Sequence, residues 1–226
     1  ETWFGLGDQD LATHLHRTQR RSDGATLTEV TAEIAGAWGL ELQVLPVTDD
    51  ELRTRVEVPG VGELGFQEYF VGRTHSVPVE AVRFEGVETA RLTGQSRSAV
   101  TDAEVVVIAP SNPIVSIGPV LAVDGMRSAL ADRRESVVAV SPIIGGKAVK
   151  GPAADMLATL GHEVSAIGVA RLYADVAGTL VIDEADADLA PSIEALGVRA
   201  VVADTIMSDT ERSASLARTT IEAVDR

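Results

Sequence analysis

From about residue 97 onward, the strand-like segments "EVVVIA" (104–109), "SVVAVS" (136–141), "GTLVID" (178–183) and "VRAVVA" (198–203) alternate with the helix-like "GMRSALADR", "AADMLATLG", "DLAPSIEALG" and "SDTERSASLARTTIEAV". A strand that is apolar on both faces has no wet side, so it must lie between two covering layers. Repetition of strand then helix supplies those layers. It also requires a parallel sheet, because each helix carries the chain back to start the next strand in the same direction. The predicted class is α/β, with a parallel sheet in a three-layer fold.

The first hundred residues read differently. "DLATHLHRTQRR" sets Leu11, Leu15 and Thr18 at helical spacing, and the polar "RRSDG" stops it. In "TLTEVTAEIAGAW", Leu27, Val30, Ile34 and Trp38 form one apolar face, while Thr26 and Glu29 have the spacing of a capping box. Four alternating stretches follow, "ELQVLP", "RTRVEVP", "ELGFQEYFV" and "PVEAVRF", of which the middle two flank "GVG" as a hairpin does. The expected organisation is residues 1–100 as helices plus a small β-rich insert and residues 101–226 as the β/α region, joined in one composite domain.

Charge and cysteine content narrow the function classes. With 34 acidic against 19 basic residues, the formal charge of −15 repels nucleic acid and anionic membrane over most of the surface. A phosphate-bearing ligand must therefore be small and locally held. There is no cysteine, which removes disulfides, thiolate metal sites and a cysteine nucleophile. No run of about eighteen apolar residues occurs, and no basic stretch precedes an apolar one. The expectation is a soluble, cytoplasmic protein without nucleic-acid or membrane partners.

In open parallel sheets, ligands collect outside the carboxyl ends of the strands, where helix N-termini offer free N–H groups. Four unusual segments fall at those ends: residues 110–119, residues 141–153, Asp183, and residues 204–209. In "PSNPIVSIGP" the prolines fix φ and remove donors, so the remaining N–H groups are few and held, while Ser111, Asn112 and Ser116 supply short polar arms. Such a loop suits a phosphate or a base edge; a rigid strand-to-helix turn uses the same parts. The second loop carries the only lysines, Lys147 and Lys150, beside Gly145, Gly146 and Gly151. Glycine admits close backbone approach to an anion and an ammonium can follow phosphate charge, while Lys150 reads rather as a solvated surface lysine.

"LGDQDLATHLHRT", "LPVTDD", "FQEYFV", "APSNPIVSIGPVL", "VVAVSPIIGGKAVKGPAADM" and "ADTIMSD" resemble, in that order, the characteristic segments of the 2-phospho-L-lactate transferase family of deazaflavin coenzyme biosynthesis. The resemblance implies a Rossmann-like α/β enzyme that moves a phospholactyl group, or in bacteria a phosphoenolpyruvyl group. The donor is a guanosine diphospho-conjugate, the acceptor the ribityl hydroxyl of a deazaflavin alcohol, and GMP is released. It also implies Mg2+ and a homodimer.

On that resemblance the nucleotide falls to Ser111, Asn112, Pro113, Ser116, Gly118, Ser141, Gly145 and Lys147. Asp8, Asp10 and His14 take the catalytic, acceptor-side role. Asp49 and Asp50 are adjacent carboxylates after a strand, adequate for Mg2+, which takes one or two carboxylates plus substrate oxygens. The residues alone leave Asp49 and Asp50 readable as a turn, and Asp8 or Asp10 as helix caps. The family pattern also has an N-terminal strand and a Gly-Gly-Thr-Gly-like loop that this chain, starting at "ETWFGLGD", does not match, so that strand and phosphate loop are expected to be missing from the sheet. Two alternatives stand beside the transferase. A non-catalytic, nucleotide-sensing α/β domain is compatible with the same array. A nicotinamide-dependent oxidoreductase is set aside because no G-x-G-x-x-G is read after a predicted strand.

Overall fold

The computed structural model describes residues 5–73 and 78–224. Its centre is a four-stranded parallel sheet of β4 (Val106–Ile108), β5 (Val137–Val140), β8 (Thr179–Asp183) and β9 (Arg199–Ala203), in that spatial order. These are the four segments the sequence predicts. β5 and β8 are buried at every residue, as expected for strands apolar on both faces.

Because side chains alternate along a strand, the sheet feeds two separate cores. Val137, Ala139, Leu180 and Ile182 point to one face, where they pack with α5 (Met126–Ala131), α6 (Ala153–Thr159), α7 (Ala166–Tyr173) and α8 (Ala190–Glu194). Val138, Val140 and Val181 point to the other and meet Leu216, Ala223 and Val224, carried by α9 (Thr210–Glu222) and the residues just after it. Helix, sheet, helix are thus the three layers. Two neighbouring arginines tie the base of β5 to helix ends: Arg133 donates to the carbonyls of Val100 and Thr101 in α3 (Gly94–Asp102) and of Ala103 after it, and Arg134 to those of Ala174 and Gly197. Cations satisfying the last carbonyls of a helix are favourable there.

α3 and α7 have no counterpart in the sequence reading. α7 is short and buries Ala166, Gly168, Val169, Ala170 and Tyr173, so it lacks the polar stripe that makes a helix visible. Its Gly168 has a local cause: a Cβ there would collide with the backbone carbonyl of Glu163.

The insert is a three-stranded antiparallel sheet, ordered β2 (Gly62–Gly65), β1 (Arg53–Val58), β3 (Ala81–Glu85). The predicted hairpin is present, with Val58 paired to Gly62. Gly60, Gly62 and Gly65 do carry G-x-G-x-x-G spacing, but they turn one strand into another and open no helix. Two expectations fail here. "ELQVLP" forms no strand, and "ELGFQEYFV" is extended only to Gly65 before a π-helical turn at Glu68–Gly72. That turn brings Tyr69 inward, and the insert core of Val56, Val58, Leu64 and Tyr69 closes on Val115 and Met156 of the α/β body. The insert is therefore fastened beside the strand ends, not projected into solvent.

At the start of the described chain, α1 (Asp8–Ser22) and α2 (Leu27–Ala37) form a helical hairpin. The capping box at Thr26 and Glu29 forms as predicted. Glu33 joins the two helices, accepting from Arg20 at 2.8 Å and contacting His16 at 2.9 Å, and the Arg20 guanidinium holds its carboxyl below the usual range. α1 buries no residue, and Leu15 and Trp38 are each 63% exposed, so Trp38 leaves the apolar face assigned to it.

Candidate active site

A cleft of about 670 Å³ opens at the carboxyl ends of β4, β5 and β9. Its floor and one wall come from the strand-end loops: Ser111, Asn112 and Ser116 after β4, Ser141 and Pro142 after β5, and Thr205, Ile206 and Met207 after β9. Lys150, Gly151 and Pro152 add the entry to α6. The facing wall is the insert, with Phe66, Gln67, Phe70 and Val71. Phe66 and Phe70 are stacked, with ring centroids 5.5 Å apart and planes at 19°.

The loop after β4 is built from its own side chains. Asn112 Oδ1 accepts from the N–H groups of Ile114 and Val115 at 2.9 and 3.2 Å, which caps a π-helical turn over Pro113–Ile117. Pro113 occupies the first position, where a missing N–H costs nothing. The N–H groups of Ser116 and Ile117 donate to the Asn112 carbonyl, and that of Ser111 to Ala109. The donors expected to face an anion are thus spent inside the loop. What it presents is hydroxyl groups and apolar edges. Gly118, which begins α4 (Gly118–Ala122), packs so closely that a Cβ would lie 3.1 Å from the Phe84 ring and 3.2 Å from the Pro113 carbonyl.

After β5, the Ser141 hydroxyl closes a tight turn, accepting from Ile143 N–H and donating to its carbonyl. β6 (Ile143–Ile144) and β7 (Lys147–Ala148) then form a minimal hairpin whose Gly145 and Gly146 have φ of 55° and 73°, the left-handed pair such a turn requires. Gly145 N–H donates to both oxygens of Asp186, a carboxylate only 4% exposed. The end of β8 anchors the last loop. Asp183, 7% exposed, accepts from Ala185 N–H at 3.0 Å, Thr205 N–H at 3.0 Å and the Thr205 hydroxyl at 2.7 Å. Burial pushes its carboxyl upward, and the three hydrogen bonds outweigh that and hold it below the ordinary aspartate value.

Of the predicted nucleotide residues, Ser111, Asn112, Ser116 and Ser141 line the cleft. Pro113 and Gly118 lie on the back of the same turn, facing a second groove, and Gly145 and Lys147 belong to the hairpin beyond the lining. The lysine in the lining is Lys150. Asp8, Asp10 and His14 stand apart from the cleft on the exposed α1. Asp8 accepts from Gln9 N–H at 2.8 Å and Asp10 from Gly7 N–H at 3.2 Å, so both serve the helix start, where N–H groups otherwise lack partners. Asp49 accepts from Thr28 N–H and hydroxyl, and Asp50 from Arg91 N–H and the Thr48 hydroxyl, and neither lines the cleft.

The fit to Mg2+ follows from these placements. The lining includes no carboxylate, and among the described residues no three His, Asp or Glu side chains group to hold a metal. The described lining therefore offers Mg2+ none of the carboxylates it takes beside substrate oxygens. The site residues named from the sequence omit Phe66, Phe70 and Met207, although Met207 lies in the strand-end segment 204–209 and both phenylalanines in "FQEYFV"; two phenylalanines four apart share one helical face, a spacing that the strand reading of that stretch hides.

Comparison with known proteins supplies what the geometry alone does not. A 2-phospho-L-lactate transferase of Methanosarcina mazei is 39% identical over 223 residues, spanning 99% of this chain and 73% of that protein. A phosphoenolpyruvate transferase of Kitasatospora aureofaciens is 39% identical over 223 residues (97% and 70%), and one of Streptomyces coelicolor 41% over 222 residues (96% and 69%). A crystal structure of a upf0052 family member from Bacillus halodurans superposes with a TM-score of 0.62 at 16% identity, over 99% of this chain and 74% of that one, which supports the fold alone. No described helix is long and apolar enough to cross a membrane. The family described as 2-phospho-L-lactate transferase CofD matches residues 2–222, and with relatives this similar the chain belongs to that family of transferases.

Proposed function

We propose that the chain transfers a 2-phospholactyl or phosphoenolpyruvyl group from a guanosine diphospho-conjugate to the ribityl hydroxyl of 7,8-didemethyl-8-hydroxy-5-deazariboflavin, releasing GMP, in coenzyme F-420 biosynthesis. The relatives named above carry one or the other of these two groups in their names. The observation that carries the reading is the two-sided character of the cleft. One wall offers the hydroxyls of Ser111 and Ser116 and the Lys150 ammonium, and the other offers the stacked Phe66 and Phe70. A flexible, charged diphosphate suits the first, and a flat deazaflavin suits the second.

In the proposed step the ribityl oxygen attacks the phosphorus that bears the lactyl or enolpyruvyl group. The bond from that phosphorus to the bridging oxygen breaks, the bridging oxygen leaves with GMP, and the hydroxyl proton passes to solvent. Displacement at phosphorus asks for positioning and charge stabilisation more than for covalent help. Lys150 and the serine hydroxyls supply charge stabilisation, and Phe66 and Phe70 orient the acceptor. We also propose a homodimer, in which a partner would cover the exposed apolar side chains Leu15, Trp38 and Leu42 on and beside the α1–α2 hairpin.

Incubation of the purified protein with the deazaflavin alcohol and each donor in turn tests the reaction. Mass spectrometry is expected to find the acceptor joined through a phosphodiester to one of the two groups, with GMP formed in equal amount. An unchanged acceptor with both donors contradicts the proposal.

A further inference from the structure

A second concavity of about 530 Å³ lies behind the π-helical turn at Pro113–Ile117, on the side away from the cleft, and the proposed reaction does not use it. Its walls are apolar, with Phe84 of β3, Leu121 of α4, Leu160 after α6 and Leu172 of α7. Three side chains break that pattern: Tyr173, Arg127 and His162. Tyr173 is 2% exposed, and its hydroxyl is the buried side-chain polar atom that has no hydrogen-bond partner among the described residues. A buried hydroxyl left unpaired is costly, so such groups in native proteins mark a bound molecule or a functional demand. Burial raises the phenol above its ordinary value, and the Arg127 charge opposes this only in part, so the group stays a neutral O–H that can donate. Arg127 is half exposed and loosely tethered, to Asp175 at 3.2 Å and to the Leu172 carbonyl at 3.3 Å.

We propose that this groove binds a small organic acid with an apolar body, its carboxylate taken by the Arg127 guanidinium and the Tyr173 hydroxyl. The chemistry of the walls selects the class. An aliphatic or aromatic body satisfies the leucines and Phe84, a carboxylate accepts from a guanidinium and an O–H together, and His162 at the rim adds a further donor. On a surface of net charge −15, an anion is held only where such donors converge. A phosphate ester is disfavoured, because Arg127 is the one permanent cation in the described lining.

Calorimetric titration of the purified protein with octanoate, and with 1-octanol as the uncharged control, tests the site. Octanoate is expected to bind in the millimolar range or tighter, and octanol more weakly by about tenfold. Tyr173→Phe keeps the ring and removes the unpaired hydroxyl. It should weaken octanoate by about tenfold while melting no lower than the wild type. Arg127→Gln, at an exposed position, should weaken octanoate by a similar factor without altering octanol. If octanoate binds the wild type and both variants equally, it sits elsewhere, and the proposal is overturned. Absence of octanoate binding to the wild type overturns it as well.

Discussion

Replacing Asp183 by Ala is expected to lower the melting temperature by about 6 to 12 °C, the equivalent of roughly 3 kcal/mol in a chain of this length. The carboxylate accepts three hydrogen bonds in a buried position, two of them from Thr205, and alanine leaves all three donors unpaired. The effect carries its own pH signature. The folded aspartate titrates below its ordinary value, so its stabilisation is fully present above the unfolded aspartate pKa and is lost as pH falls through the folded one. Wild-type and variant melting curves should therefore differ most near neutral pH and converge in acid. Thr205 lines the cleft beside Ile206 and Met207, so releasing it also loosens one wall of the proposed nucleotide site. A variant that melts with the wild type at neutral pH would show that Asp183 does not hold this loop.

The second large effect falls on the acceptor. Removing an aromatic platform from a stacked planar ligand costs about 1 to 3 kcal/mol, so Phe70→Ala should raise the deazaflavin KM by about five- to 150-fold. Phe70 lies on the insert wall and the hydroxyls proposed to meet the diphosphate lie on the other, so the donor KM should stay near its wild-type value. Steady-state kinetics with each substrate varied in turn separates the two. A rise in donor KM with an unchanged acceptor KM would reverse the assignment of the walls.

The parallel sheet was legible because its strands are apolar on both faces over several residues, which no other element in the chain imitates. The capping box at Thr26 and Glu29 and the β1–β2 hairpin were legible for a similar reason, since short-range chemistry decides both. The helical turn at Glu68–Gly72 was not, because the alternation of "ELGFQEYFV" continues past Gly65 while packing of Tyr69 against Val115 and Met156 decides the conformation. The site was legible as a place and less so as a set of side chains. Residues 110–119 and 141–153 do surround a cleft, yet hydrogen bonding that no spacing reveals spends the Asn112 carbonyl oxygen on the turn, turns Gly145 toward Asp186 and puts Lys150, not Lys147, in the lining. Asp8 and Asp10 show the converse. Acidic residues at the start of a helix read as chemistry in sequence, and here they meet backbone N–H groups that a helix start leaves over.

We propose that the cleft over the ends of β4, β5 and β9 holds a guanosine diphosphate moiety. The most direct test is the melting temperature of the purified protein as GDP is added. A ligand that binds only the folded state stabilises it by about 2.7 kcal/mol at a hundred times its Kd, which for a chain of this size is a rise of about 5 to 11 °C. That rise is expected, climbing with the logarithm of GDP concentration and reduced in Lys150→Ala. A melting temperature that stays constant as GDP reaches millimolar concentration would contradict it.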